Sequence, residues 1–204
     1  MSTEEESGAF NGDSENRRVF LKRSTAVTAA FVGTPSLSFS SDAGDTSDPL
    51  PSIPLGPYRV SRLIVGSNPI CGYSHLNRLM SRLMSDYFTV DQIVLFLRHC
   101  IQMGITTFQS SYSDKIDRGL RRFREQRHHI QWICLASGDL LNDTKALHNL
   151  IREHEPIGVV HHGGVTDSRF REKQMDKVNT FLKRVRDTGV QVALSTHNPK
   201  VVEF

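Results

Sequence analysis

Cysteine is scarce in this sequence. Only Cys71, Cys100 and Cys134 occur among 204 residues, an odd number at spacings that match no zinc or haem pattern. A disulfide scaffold and a metal finger are therefore excluded, and the three read as buried thiols. Long apolar runs are missing too. The longest near the N-terminus, Ala29-Ala30-Phe31-Val32, is far short of the roughly 20 residues that cross a bilayer, so no transmembrane helix is expected. Charge of one sign does not dominate either: 25 Lys and Arg against 22 Asp and Glu leave +3, too little and too mixed to require a nucleic-acid partner. What is present, 38% hydrophobic, 23% charged and 8% aromatic residues, suits a globular chain of one domain or one and a half.

The first 57 residues differ in kind. Residues 1–15 carry Glu4, Glu5, Glu6, Asp13 and Glu15 and almost nothing to bury, which predicts disorder. Asn16-Arg17-Arg18-Val19-Phe20-Leu21-Lys22 follows, then a mildly apolar stretch over residues 24–39 and small residues before Ser41-Asp42-Ala43. The paired Arg17 and Arg18 and this layout resemble a bacterial twin-arginine export signal, with Asn16 where serine or threonine is commoner. The resemblance implies the twin-arginine export machinery as a partner and a periplasmic or extracytoplasmic location. Residues 1–43 hold six acids and four bases, so their removal leaves +5. Residues 44–57, with prolines at 49, 51, 54 and 57, predict a stiff linker into a domain spanning 58–204.

From Tyr58 the chain alternates strand and helix. Val60, Leu63, Ile64 and Val65 predict a buried strand over 59–65, stopped by Gly66-Ser67-Asn68-Pro69. Further strands are predicted at 105–109, 130–135, 157–161 and 190–195. Helices are predicted over 89–104, opened by the capping box Thr89-Val90-Asp91-Gln92, over 114–124 and 143–154, and around Met175, Val178, Leu182 and Val185. Residues 199–204 would begin another helix.

Near-continuous apolar strands, each followed by a helix, specify a parallel sheet. An open doubly wound nucleotide binder needs a glycine-rich turn after its first strand, and Gly66-Ser67-Asn68-Pro69-Ile70-Cys71-Gly72 is neither G-x-G-x-x-G nor a P-loop. The expected fold is therefore α/β, a partial parallel TIM-type barrel of about five of eight units. Polar residues gather after the strands, at Asn68, Gln109-Ser110-Ser111, Ser137, His161-His162 and Thr196-His197-Asn198, the end at which such a barrel carries its active site.

Val60-Ser61-Arg62-Leu63-Ile64-Val65-Gly66, Gly104-Ile105-Thr106-Thr107-Phe108, His161-His162 and Val192-Ala193-Leu194-Ser195-Thr196-His197-Asn198, in this order, resemble an aldo/keto reductase over residues 58–204. The resemblance implies NADPH as cofactor and a small carbonyl or sugar-like ligand. It also implies an aspartate after strand two, a tyrosine five residues on, a lysine after strand three and a histidine after strand four. His162 matches the histidine. Gln109 stands in the aspartate's place, Asp114 in the tyrosine's with Tyr112 near but out of register, and Cys134-Leu135-Ala136-Ser137 brings no lysine.

Carbonyl reduction needs a proton donor at the developing alkoxide. A tyrosine without its lysine keeps a pKa near about 10 and is a poor donor at neutral pH. The expected site is thus His162 and Tyr112 as the catalytic pair, with Asn68, Gln109, His197 and Asn198 around the ligand, on a chain that is not an active reductase as it stands. The competing expectation is a non-catalytic exported protein that binds a small ligand or a partner. Another chemistry, a hydrolase or isomerase, would use His162 with Asp167. His75, His162 and His197 would hold a metal only if three loops met, and no metal is expected.

Arg118, Arg121, Arg122, Arg124 and Arg127 read as a solvated helix face. Leu76, Leu79, Met80, Leu83 and Met84 recur at helical spacing and predict an amphipathic helix near the barrel mouth, either packed locally or serving as a lid. With five strands before Phe204, three strands and the later loops that hold the family's dinucleotide are expected to be missing. A half-barrel that shares its core with a second copy is the rival.

Overall fold

The computed structural model describes residues 50–203. The export-signal reading at Arg17 and Arg18 and the start of the linker lie outside them. Within the expected linker, β1 (Ser52–Leu55) pairs antiparallel with β2 (Tyr58–Ser61), Ile53 opposite Val60 and Leu55 opposite Tyr58, around a turn at Gly56 and Pro57.

The first expected strand is corrected by this hairpin. Only Val65 joins the parallel sheet, accepting from Gln109 N–H (2.8 Å) and donating to Thr107 O (3.0 Å). The Ser61 hydroxyl breaks the run. It donates to Leu63 O (2.6 Å) and accepts from Thr106 N–H (2.9 Å), giving the backbone a turn instead of a ladder. Leu63 and Ile64 are left exposed.

The sheet proper is parallel, in the order β3 (Thr107–Ser111), β4 (Gln131–Ala136), β5 (Gly158–His161) and β6 (Gln191–Leu194). Helices α1 (Asn68–Cys71), α2 (Arg78–Tyr87), α3 (Val90–Gln102), α4 (Asp114–Glu125), α5 (Thr144–His154), α6 (Gly163–Arg171) and α7 (Met175–Asp187) complete it, with short 3-10 turns at Gly138–Leu141 and Pro199–Val201. Caps fix the starts: Thr89, Ser113 and Asp143 accept from backbone N–H groups of α3, α4 and α5. Sequence pattern expects one helix after β5, whereas the chain forms two, because His162 caps a short α6 that Gly163-Gly164 disguises.

Period two divides the strands between two faces. Phe108, Trp132, Cys134, Ala136 and Val159 share one core with Ile93 and Leu97 of α3, Ile116, Leu120 and Phe123 of α4, Leu147 of α5 and Phe181 of α7. Each such apolar side chain contributes about 1.5–3 kcal/mol by burial. Trp132 brings a polar atom into this core and satisfies it, Nε1–H donating to Ser110 Oγ at 2.8 Å. On the other face, Ile133 and Ile157 pack with Val60, and Tyr58 and Val160 lie against them, so the hairpin abuts the strands near their N-terminal ends.

Lys115, near the start of α4, ties this layer to α2. Its ammonium donates to Ser85 O (2.8 Å) and Ser85 Oγ (3.2 Å).

Candidate functional site

Phe108 and Ser110 face the helices, so Gln109 between them faces the other way. It lines two cavities there. One, about 530 Å³, includes Asn68, Ser67 and Leu135; the other, about 330 Å³, includes Ile133, Val160 and Ser195. Asn68 and Gln109, expected at the ligand, are thus brought to one cavity. Tyr112 and His162 line neither.

His162 is the N-cap of α6. Its Nδ1 accepts from Gly164 N–H at 3.2 Å, which leaves the ring proton on Nε2, a donor suited to a carbonyl or hydroxyl oxygen. The adjacent His161 is buried, its Nδ1 2.7 Å from Thr166 Oγ1 and its ring edge-on to Phe181. Burial foremost, then Arg169 and His162, pushes its pKa down to about 4. His161 is neutral at pH 7 and structural in role.

Tyr112 sits with the helix layer. Its ring packs against Trp132 (6.4 Å between centroids) and His154 (5.5 Å). Burial first, then the Asp117 carboxylate, raises its hydroxyl above the ordinary 10. An aromatic residue at a strand end turns toward whichever side offers a partner, and for Tyr112 the partners are Trp132 and His154. His154 itself is 1% exposed, with Nε2 2.9 Å from Asp117 Oδ1 at an angle that makes no hydrogen bond. Asp117 also pairs with Arg121, which reaches Glu153 of α5, while Arg124 donates to His154 O. Two arginines of the expected solvated face thus join α4 to α5.

Asp167 pairs with His197. Its Oδ2 lies 2.7 Å from His197 Nδ1, both oxygens accept from His197 N–H (3.1 and 3.3 Å), and the Thr196 hydroxyl donates to Oδ1. The Thr196 bond first, then the His197 bonds, hold the carboxyl below its ordinary range. The His197 side chain is 81% exposed, so the arrangement presents Nε2 to solvent with a carboxylate behind Nδ1. A Cβ on Gly163 would stand 3.1 Å from Ser195 Oγ and 3.3 Å from His197 Cε1, so glycine lets the ring lie close to the start of α6. The sequence offered Asp167 to His162; the partner is on the loop after β6. The spacing of Asp167 within α6 could have pointed to it only once α6 itself was recognised.

Asn198 lines a third cavity with Lys200 and the α6–α7 junction. His75 is exposed in the loop before α2. Among the described residues, no group of three or more His, Cys, Asp and Glu side chains could hold a metal ion, and no helix is long and apolar enough to cross a membrane. The expected amphipathic helix is α2, whose Leu79 and Leu83, with Leu76 before it, point outward while Met80 and Met84 are half-buried.

Compared with protein-family models, curated proteins and solved structures, the chain matches none.

Proposed function

We propose that this α/β domain is built on a β/α barrel plan of aldo/keto reductase type and binds a small carbonyl or sugar-like ligand between Asn68 and Gln109, without reducing it. The carrying observation is the sheet: four parallel strands in sequence order, their helix-borne core on one face and Gln109 with its two cavities on the other. A doubly wound sheet reverses its strand order at a switch point and covers both faces with helices, whereas a barrel keeps the order and one helical side.

The residues present do not fit a nicotinamide cofactor put to reductive use. Tyr112 is turned to Trp132 and His154, its hydroxyl pKa is raised rather than lowered, and Ser137 follows β4 where the family's lysine would stand. With Tyr112 turned away and no lysine beside it, the family's proton-donating pair is not assembled, and binding is the better reading. In it, the Asn68 and Gln109 amides meet the ligand's oxygens in the cavity that both line.

Isothermal titration of the full chain with small aldehydes and monosaccharides tests this. Gln109→Ala and Asn68→Ala should each weaken binding by about tenfold, roughly one good hydrogen bond to a buried ligand. NADPH consumption with a carbonyl substrate that disappears in His162→Ala would overturn the reading in favour of a reductase.

Export through Arg17 and Arg18 is proposed from the sequence alone. Changing both to lysine, in a fusion to a reporter that must fold before crossing, should abolish the periplasmic signal. Unchanged export would refute it.

A further inference from the structure

We propose that the groove between α6, α7 and the turn at Pro199–Val201 binds a small organic anion, a phosphate or carboxylate carried on an apolar group. The groove, about 1060 Å³, takes apolar surface from Phe170 and Met175 and positive charge from the exposed Arg171, Lys173 and Lys200. Asp176 is the one acid among its lining residues, so the field there is positive. None of the three cations forms an ion pair among the described residues. Uncompensated cations beside an apolar surface suit a ligand with one anionic end and one apolar end. The amides of Asn179 and Asn198 add donors for its oxygens.

Backbone geometry sets the position of Lys173. It has φ +57, with its N–H donating to Phe170 O (3.1 Å) and Gln174 N–H donating to Arg169 O (2.8 Å), the closing turn of α6 in which glycine is the usual occupant. A side chain at such a position costs conformational energy. The same left-handed closing turn holds Arg127 after α4 and Glu155 after α5, and here it sets a cation at the lip of the groove. The opposite wall is fixed as well: Asn198 N–H donates to Thr196 Oγ1 (3.0 Å), and that hydroxyl is bonded to Asp167. The groove shares no lining residue with the cavity of Asn68 and Gln109, so either reading can fail without the other.

The test is calorimetric titration of the full chain with phenyl phosphate, inorganic phosphate and benzyl alcohol. Phenyl phosphate should bind more tightly than either half of its chemistry. Lys200→Met and Lys173→Gly should each weaken it by about tenfold, roughly one charge-assisted hydrogen bond. Lys173→Gly should at the same time raise Tm, which separates lost binding from lost folding. The proposal is overturned if phenyl phosphate does not bind, if it binds both variants as it binds the original chain, or if benzyl alcohol or inorganic phosphate binds as tightly.

Discussion

Asp167 and His197 stand thirty positions apart and meet at 2.7 Å, carboxylate oxygen to Nδ1, joining α6 to the loop that leaves β6. The same carboxylate takes the Thr196 hydroxyl and the His197 backbone N–H, so one side chain orders three groups of that loop. Hydrogen bonds of this charged kind contribute about 1.5–3 kcal/mol.

Asp167→Asn should lower stability at pH 7 by an amount in that range and release the ring of His197. The folded carboxyl titrates below its unfolded value of about 3.9, so its contribution is present above that pH and fades as pH falls through the folded pKa. Urea melts of the two proteins should differ at pH 7 and converge in strong acid. Nitrogen shifts of the His197 ring should report a single Nδ1–H tautomer in the original chain and a mixture in the variant.

His161 predicts a second pH dependence. Its folded pKa of about 4 lies below the ordinary 6.5, so the unfolded chain binds more protons between these values. Stability therefore rises with pH across this window and falls as pH drops from about 6.5 toward 4, at up to about 1.4 kcal/mol per unit. His161→Gln, which cannot charge, should flatten this slope in chemical denaturation at a series of pH values. An unchanged slope would assign the dependence to other groups.

Gly119 breaks the usual helix rule. Alanine is favoured over glycine inside a helix by about 1 kcal/mol, yet a Cβ there would stand 2.8 Å from Cγ2 of the fully buried Ile93. Crowding a packed core costs about 1–3 kcal/mol. Gly119→Ala should therefore lower the midpoint of thermal unfolding, and Gly119→Ala with Ile93→Leu, which removes the Cγ2 branch while keeping the volume, should recover part of the loss.

Trp132→Phe should cost about 1–3 kcal/mol. The aromatic volume is largely kept, but Ser110 Oγ loses its 2.8 Å donor while fully buried. Ser110→Ala alone orphans the indole N–H in the same core. The double variant removes both partners and should lose less than the two singles together, as denaturant melts of the cycle would reveal.

The parallel strands β3 to β6 can be read from the sequence because each is a short apolar run closed by a turn or a capped helix. α3, α4, α5 and α7 can be read because one face of each is apolar at helical period. The hairpin cannot be read this way. β1 is exposed along its whole length, so it has no burial pattern, and Pro54 and Pro57 disguise it as a linker. α6 hides behind two glycines. At the site, Gln109 takes its face from alternation within β3, and Asn68 lines the same cavity from the turn that follows Val65. The direction of Tyr112 is not legible, since the partners that draw it away, Trp132 and His154, lie twenty and forty-two positions further on. The union of Asp167 with His197 is likewise a tertiary event that no local rule contains.

The tether of Lys115 to Ser85 gives the fold an internal chemical reporter. An amine whose proton donors are spent on a carbonyl and a hydroxyl of another helix reacts slowly with acylating reagents, unlike the open ammonium groups of Lys173 or Lys200. Labelling at Lys115 therefore measures how often α2 lifts from α4, and mass spectrometry of one peptide can time that opening without any ligand being known.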